Sequence, residues 1–207
     1  MKTAVRENMP SIDDFTLTTL STEGRTGPTQ TDANNGYSHS VFDVRVAEGV
    51  QRFRILHAGE YKITAVGAQG GTGSRQGEGG RGAKVSGVET LEVGDTLSVV
   101  VGQAGSGTTD MASGGGGTFV FKGTEMDAST LLLAAGGGGG YGVSDATSVQ
   151  TRSLAHANKE ESGSGGITSS MDDIDSNGGS GGNGGRPASE GGSGGAGVSS
   201  DGVGVGD

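Results

Sequence analysis

The chain is expected to be all-β, an antiparallel jelly-roll sandwich with a bundle of glycine-rich polyproline-II helices inserted and appended. Three observations lead there. Apolar residues alternate with polar ones over short runs, turn-forming residues separate those runs, and no segment keeps a 3.6-residue period. Alternation over four to seven residues rich in Val, Phe, Ile and Thr is how a half-buried strand is written. Phe15, Leu17 and Thr19 open the series, followed by Phe42, Val44 and Val46, then Phe53 with Ile55. Tyr61, Ile63 and Ala65 come next, then Leu97, Val99 and Val101, then Phe119 with Phe121, and Leu131 with Leu133. Between them stand Gly27 and Pro28, Asn34, Asn35 and Gly36, His57 to Gly59, and Glu92 to Asp95, all turn formers. Short strands at this spacing predict a sandwich over 14–135, preceded by an N-terminal arm, 1–13. The best helix candidate, 153–161, is polar and short.

From Gly136 the composition changes to glycine and serine, and the spacing becomes more informative than the count. Gly179, Gly182, Gly185, Gly191, Gly194 and Gly197 share one phase of a three-residue repeat. A polyproline-II helix has three residues per turn, so this phase lines one edge of such a helix with residues that lack a Cβ. Neighbouring helices can then approach until an N–H of one reaches a C=O of the next. A single helix of this kind has no internal hydrogen bonds and needs neighbours. Glycine-rich passes at 67–82, 102–117, 136–142, 163–166 and 178–197 supply them. The expectation is that 136–207 forms a polyproline-II region packed with the loops 67–82 and 102–117. A flexible linker is the competing reading of the same composition.

Composition excludes several classes. Glycine is 46 of 207 residues, aromatics are 4% and tryptophan is absent, too little apolar surface for a large-core enzyme spread over the whole length. With 24 acidic against 14 basic residues the formal charge is −10, which repels a phosphate backbone, so nucleic acid is not an expected partner. Cysteine is absent, removing disulfides and thiolate metal sites. Residues 1–10 carry Lys2, Arg6 and Glu7 with no apolar run behind them, unlike a signal peptide. The longest apolar run, 131–135, is far too short to cross a bilayer, so no membrane insertion is expected.

Taken in order, the pieces resemble the glycine-rich extracellular region of anaplastic lymphoma kinase and leukocyte tyrosine kinase receptors. The residues that carry this are Phe15, Leu17, Leu20, Gly24, Gly27, Pro28 and Tyr37, then Phe53 through Gly59, Tyr61, Ile63 and Ala65 to Gly67, Gly70 and Gly71. Leu91 to Gln103, Gly114 to Phe121 and Leu131 to Gly142 continue it. The resemblance implies a tumour-necrosis-factor-like sandwich bearing glycine helices, which in those receptors contributes to cytokine binding. Two departures weigh against carrying over the receptor role: cysteines near Leu20 and Ala33 are missing, and Phe53 stands where a tryptophan is usual. What the resemblance lends is the scaffold.

Chemical motifs are few. Gly67, Gly70 and Gly73 imitate a dinucleotide loop, but Gly77, Gly79, Gly80 and Gly82 follow where a helix must begin. Ala83 precedes Lys84 where a phosphate loop needs glycine. The Ser193 match to a nucleophile elbow lacks its strand-turn-helix context. His39, His57 and His156 are not at metal spacing, and no catalytic cluster is expected. Asp173, Asp175 and Asn177 before Gly178 match the first half of a calcium loop, but Gly184 stands where its bidentate glutamate belongs. Calcium is the one cofactor these residues suggest, against an acidic turn.

The function expected from this is non-enzymatic: a structural or adhesive protein that self-assembles or sits on a larger assembly, a virion or tail surface or an extracellular filament. Its partners would be itself or a neighbouring structural protein, and a cell-surface receptor or glycan beyond them. The alternative is a soluble ligand-binding module resembling a receptor ectodomain. Either places the protein outside cells or on a virion surface.

Overall fold

The computed structural model describes residues 15–38, 42–72, 79–107 and 112–140. These form one short helix, α1 (Gln30–Gly36), and seven strands: β1 (Arg45–Ala47), β2 (Val50–Arg54), β3 (Gly59–Val66), β4 (Lys84–Leu91), β5 (Thr96–Val100), β6 (Thr118–Lys122) and β7 (Leu131–Ala135). Every pairing is antiparallel. A five-stranded sheet has the order β1-β2-β5-β6-β7, and β3 pairs with β4 in a second, two-stranded sheet.

The sheets face each other because the alternation buries one side of each. Ala65, Val99, Val120 and Ala135 form a buried cluster, with Ile63, Val85 and Leu133 against it. Ile55, Leu91 and Leu97 form a second. Leu91 is fully buried. A bulge between Val120 and Phe121 shifts the β6–β7 register, so Leu132 and Leu133 both reach the core from consecutive positions. Glu48 and Gly49 join β1 to β2 with φ of 51° and 75°, the mirror-type turn that suits a two-residue hairpin.

Three sequence expectations are corrected. Phe15, Leu17 and Thr19 are not in a strand. The segment is extended and buries one side without a ladder partner: Phe15 meets Tyr37, Phe42 and Phe53 at ring-centroid distances of 4.9–5.7 Å, and Leu17 packs on the Val99 cluster. Residues 34–36, expected as a turn, are the last turn of α1. Thr29 caps it, accepting from the Asp32 N–H while the Asp32 carboxylate accepts from the Thr29 N–H at 2.8 Å. Finally, β4 is a full eight-residue strand that the alternation concealed, because Gly87 and Glu89 face inward while Val88 is 62% exposed. The other helix candidate, 153–161, lies outside the described residues.

One prediction arises from two of the hydrogen-bonded carboxylates. Hydrogen bonds from Thr29 hold Asp32 below its ordinary value of 3.8, and a bond from the Glu92 N–H with one from Lys122 does the same for Asp95. A depressed carboxylate contributes stability above its unfolded-state value and loses it as pH falls through the folded one. Acid titration is therefore expected to loosen α1 and the 92–95 turn below about pH 4. Asp32→Asn is expected to flatten the α1 part of that response, read from amide shifts.

Candidate functional site: the glycine-rich lobe

The topology gathers the glycine-rich segments at one end of the sheets. β3, β5 and β7 end there, and β4 and β6 begin there, with Val66 opposite Lys84, Val100 opposite Phe119 and Thr118 opposite Ala135. Five segments consequently leave or enter the same end: 67–72, 79–83, 102–107, 112–117 and 136–140. Apart from an isolated bridge between Gly107 and Ala112, none of them is strand or helix.

They are bonded to one another mainly through backbone. The N–H groups of Gly67 and Gly70 donate to the carbonyls of Ala83 and Gly80, both at 2.9 Å. Those of Ala68 and Gly71 donate to Gly116 and Ser113, those of Gly80 and Ala83 to Gly139 and Gly136, and those of Gly116 and Ser113 to Gln103 and Ser106. In each pair of segments the bond recurs at every third residue, whereas a β ladder repeats every second. Gly138 donates to Ala68, Gly115 to Gly138 and Gly105 to Gln69, so 67–72 is bonded to all four other segments and lies at the centre. Thr118 ties the lobe to the sheets: its hydroxyl donates to the Val66 carbonyl at 2.7 Å and accepts from the Gly102 N–H at 3.0 Å.

Glycine is a steric requirement in this arrangement. A Cβ at Gly67, Gly70, Gly79, Gly82, Gly102, Gly115, Gly137, Gly138 or Gly140 would lie under 3.0 Å from a carbonyl oxygen of another segment. No side-chain rearrangement relieves a clash with backbone. Gln69 caps the interior by donating to the Gly79 carbonyl at 3.1 Å. Gln103 is different: both polar atoms of its amide are buried without a hydrogen-bond partner among the described residues.

The N–H groups of Gly67, Ala68, Gly70 and Gly71, which a dinucleotide loop would turn toward phosphate, are bonded to carbonyls of neighbouring segments. His57 sits in a turn, where its carbonyl accepts from the Tyr61 hydroxyl at 2.6 Å. Among the described residues no three His, Cys, Asp or Glu side chains are placed to hold a metal ion, and no helix is long and apolar enough to cross a membrane. The calcium candidates Asp173, Asp175 and Asn177 lie outside the described residues. So do the period-three glycines Gly179, Gly182, Gly185, Gly191, Gly194 and Gly197. The residues that bear the same rule within view, Gly67 with Gly70, Gly79 with Gly82 and Gly102 with Gly105, were legible as glycine-rich loops.

Fold and lobe together define an all-β, antiparallel protein with a laterally bonded glycine-rich end. No protein-family model matches the chain. Part of it is similar to the leukocyte tyrosine kinase receptor of Mus musculus, 35% identical over 97 residues, which cover 44% of this chain and 11% of the receptor. The chain thus spans a small fraction of that relative's length, and the likeness supports a relation to that receptor family.

Proposed function

We propose that this protein is a non-enzymatic structural or adhesive module that assembles with itself or on a larger structure and holds out a rigid glycine-rich bundle. The observation that carries this reading is the lobe: segments whose N–H groups bond sideways at three-residue intervals, with glycine at positions, Gly67 and Gly70 among them, where a Cβ would strike a carbonyl of another segment. The same recurrence supports polyproline-II conformation for the segments. Two antiparallel sheets with buried facing sides support a jelly roll as the base. A bundle bonded this way has few side chains for a protease to grip and few free amides. Limited proteolysis is expected to leave 67–72, 79–83, 102–107, 112–117 and 136–140 intact while cutting exposed turns. Sedimentation is expected to show species larger than one chain. Rapid cleavage throughout the five segments, or a monomer at all concentrations, contradicts the reading.

The similarity to a receptor favours one alternative, a soluble module that binds a protein ligand. That reading expects a monomer in sedimentation, which separates the two.

A further inference from the structure

The two-stranded sheet is short of partners. β3 and β4 pair over eight positions without interruption, from Gly59 opposite Leu91 to Val66 opposite Lys84, and neither has a second strand beside it among the described residues. An isolated pair of strands is marginal, and an unpaired edge is a template for another chain. The outward side of β4 reads Lys84, Ser86, Val88, Thr90, and Glu92 continues the exposed phase just past its end. Val88 at its middle is 62% exposed. Neither Lys84 nor Glu92 is in an ion pair with a described residue.

We propose that the free edge of β4 pairs antiparallel with β4 of a second copy of this chain, about a twofold axis through Val88, joining the two small sheets into one of four strands. This rests on the self-assembly reading above and names its surface. The sequence of the edge selects the partner by its own complementarity. With Val88 opposite Val88, Ser86 falls opposite Thr90 and Lys84 opposite Glu92, twice by symmetry, so that opposite charges meet at both ends. Inward, Val85 falls opposite Leu91, and Glu89, the one charge within 85–91, meets Gly87, which has no side chain. Registers must keep inward residues opposite inward residues, which leaves few rivals. Pairing about Gly87 sets Lys84 against Thr90 and forgoes both charge pairs. The edge of β3 matches charge only over a shorter length: pairing about Tyr61 sets Glu60 against Lys62 but overlaps only 59–63 of the strand, pairing about Lys62 opposes two lysines, and pairing about Ile63 sets Glu60 against Val66.

Charge exchange tests this on the full chain by sedimentation equilibrium. Lys84→Glu alone and Glu92→Lys alone each put like charges at both ends, and each is expected to raise the dimer dissociation constant about tenfold or more. Mixed in equal amounts they are expected to recover wild-type affinity, since every end then joins one glutamate to one lysine. Glu92 adds to the field at Lys122, so recovery on mixing, which no folding defect produces, is the decisive reading. The chain has no cysteine, so Val88→Cys is expected to form a disulfide-linked dimer under mild oxidation. Residues opposite on antiparallel strands lie about 4.5–5.5 Å apart at Cα, within disulfide reach. Val93→Cys, as exposed but off the axis, is expected to cross-link far more slowly. A wild-type oligomer indifferent to Lys84→Glu, or one that links through Val93→Cys as fast as through Val88→Cys, overturns the β4 edge and leaves self-assembly standing. A wild-type monomer at every concentration overturns both.

Discussion

Gly70→Ala and Gly138→Ala are each expected to lower the unfolding free energy by about 2–4 kcal/mol, a large fraction of what holds a domain of this size together. The added Cβ would lie under 3.0 Å from the carbonyl oxygen of Gly139 in the first case and of Gly80 in the second. Because the obstacle is backbone, whole segments must separate. Overpacking of this kind costs about 1–3 kcal/mol, and separation weakens lateral bonds worth about 1 kcal/mol each, among them Gly70 to Gly80 and Gly138 to Ala68. Two controls isolate the cause. Gly59 has nothing within 4 Å of its Cβ position and its φ is not positive, so Gly59→Ala is expected to be neutral or to stabilise by about 0.5 kcal/mol. Gly123 has equal space but a φ of 101°, so Gly123→Ala is expected to cost about 1 kcal/mol through conformation alone. Denaturant midpoints for the four variants check the order. Equal effects at Gly70 and Gly59 would mean that lobe segments do not touch.

The second large effect concerns two glutamines that the same substitution should move in opposite directions. Gln51 is fully buried, and its amide is satisfied at both ends: it donates to the Thr18 carbonyl at 2.8 Å and accepts from the Tyr37 hydroxyl at 2.8 Å. The Thr18 N–H donates in turn to the Tyr37 oxygen at 2.9 Å. Gln51→Met keeps the volume but removes both hydrogen bonds of a fully buried side chain, one to the exposed Thr18 and one to the half-buried Tyr37, which is expected to cost about 1–3 kcal/mol. Gln103 has its amide buried with no partner among the described residues, so Gln103→Met removes an unmet desolvation cost and is expected to stabilise by about 1–2 kcal/mol. Thermal unfolding of both variants reads the difference in sign. Destabilisation by Gln103→Met would show that its amide is engaged.

Much of the β framework was legible because a period of two records which side of an extended chain is buried. That held for β2, β3 and β5, where Phe53, Ile63, Leu97 and Val99 face the core; in β6 it is Val120, between the expected Phe119 and Phe121, that joins the core cluster, and in β7 the bulge brings in Leu132 beside Leu133. The same record misled at Phe15 and Leu17, which bury one side without any strand beside them, since periodicity reports burial and not pairing. It failed at β4, where the inward place next to Leu133 is taken by Gly87 and a valine faces out. Helix α1 was hidden by Asn34, Asn35 and Gly36, turn formers by composition, although Thr29 and Asp32 had the spacing of a capping box. In the lobe, the need for glycine was readable and the order of neighbours was not. Residues without side chains carry no pattern that says which segment lies beside which; the strands fix that by delivering all five to one end.

Amide hydrogen exchange resolved by residue tests the lateral bonding most directly. Gly67, Ala68, Gly70, Gly71, Gly80, Ala83, Gly115, Gly116 and Gly138 are expected to exchange as slowly as the β3 and β5 amides, since each N–H is held by a carbonyl of another segment. Exchange of those amides at the rate of an unstructured chain, with β3 and β5 still protected, would contradict the arrangement on which the proposed function rests.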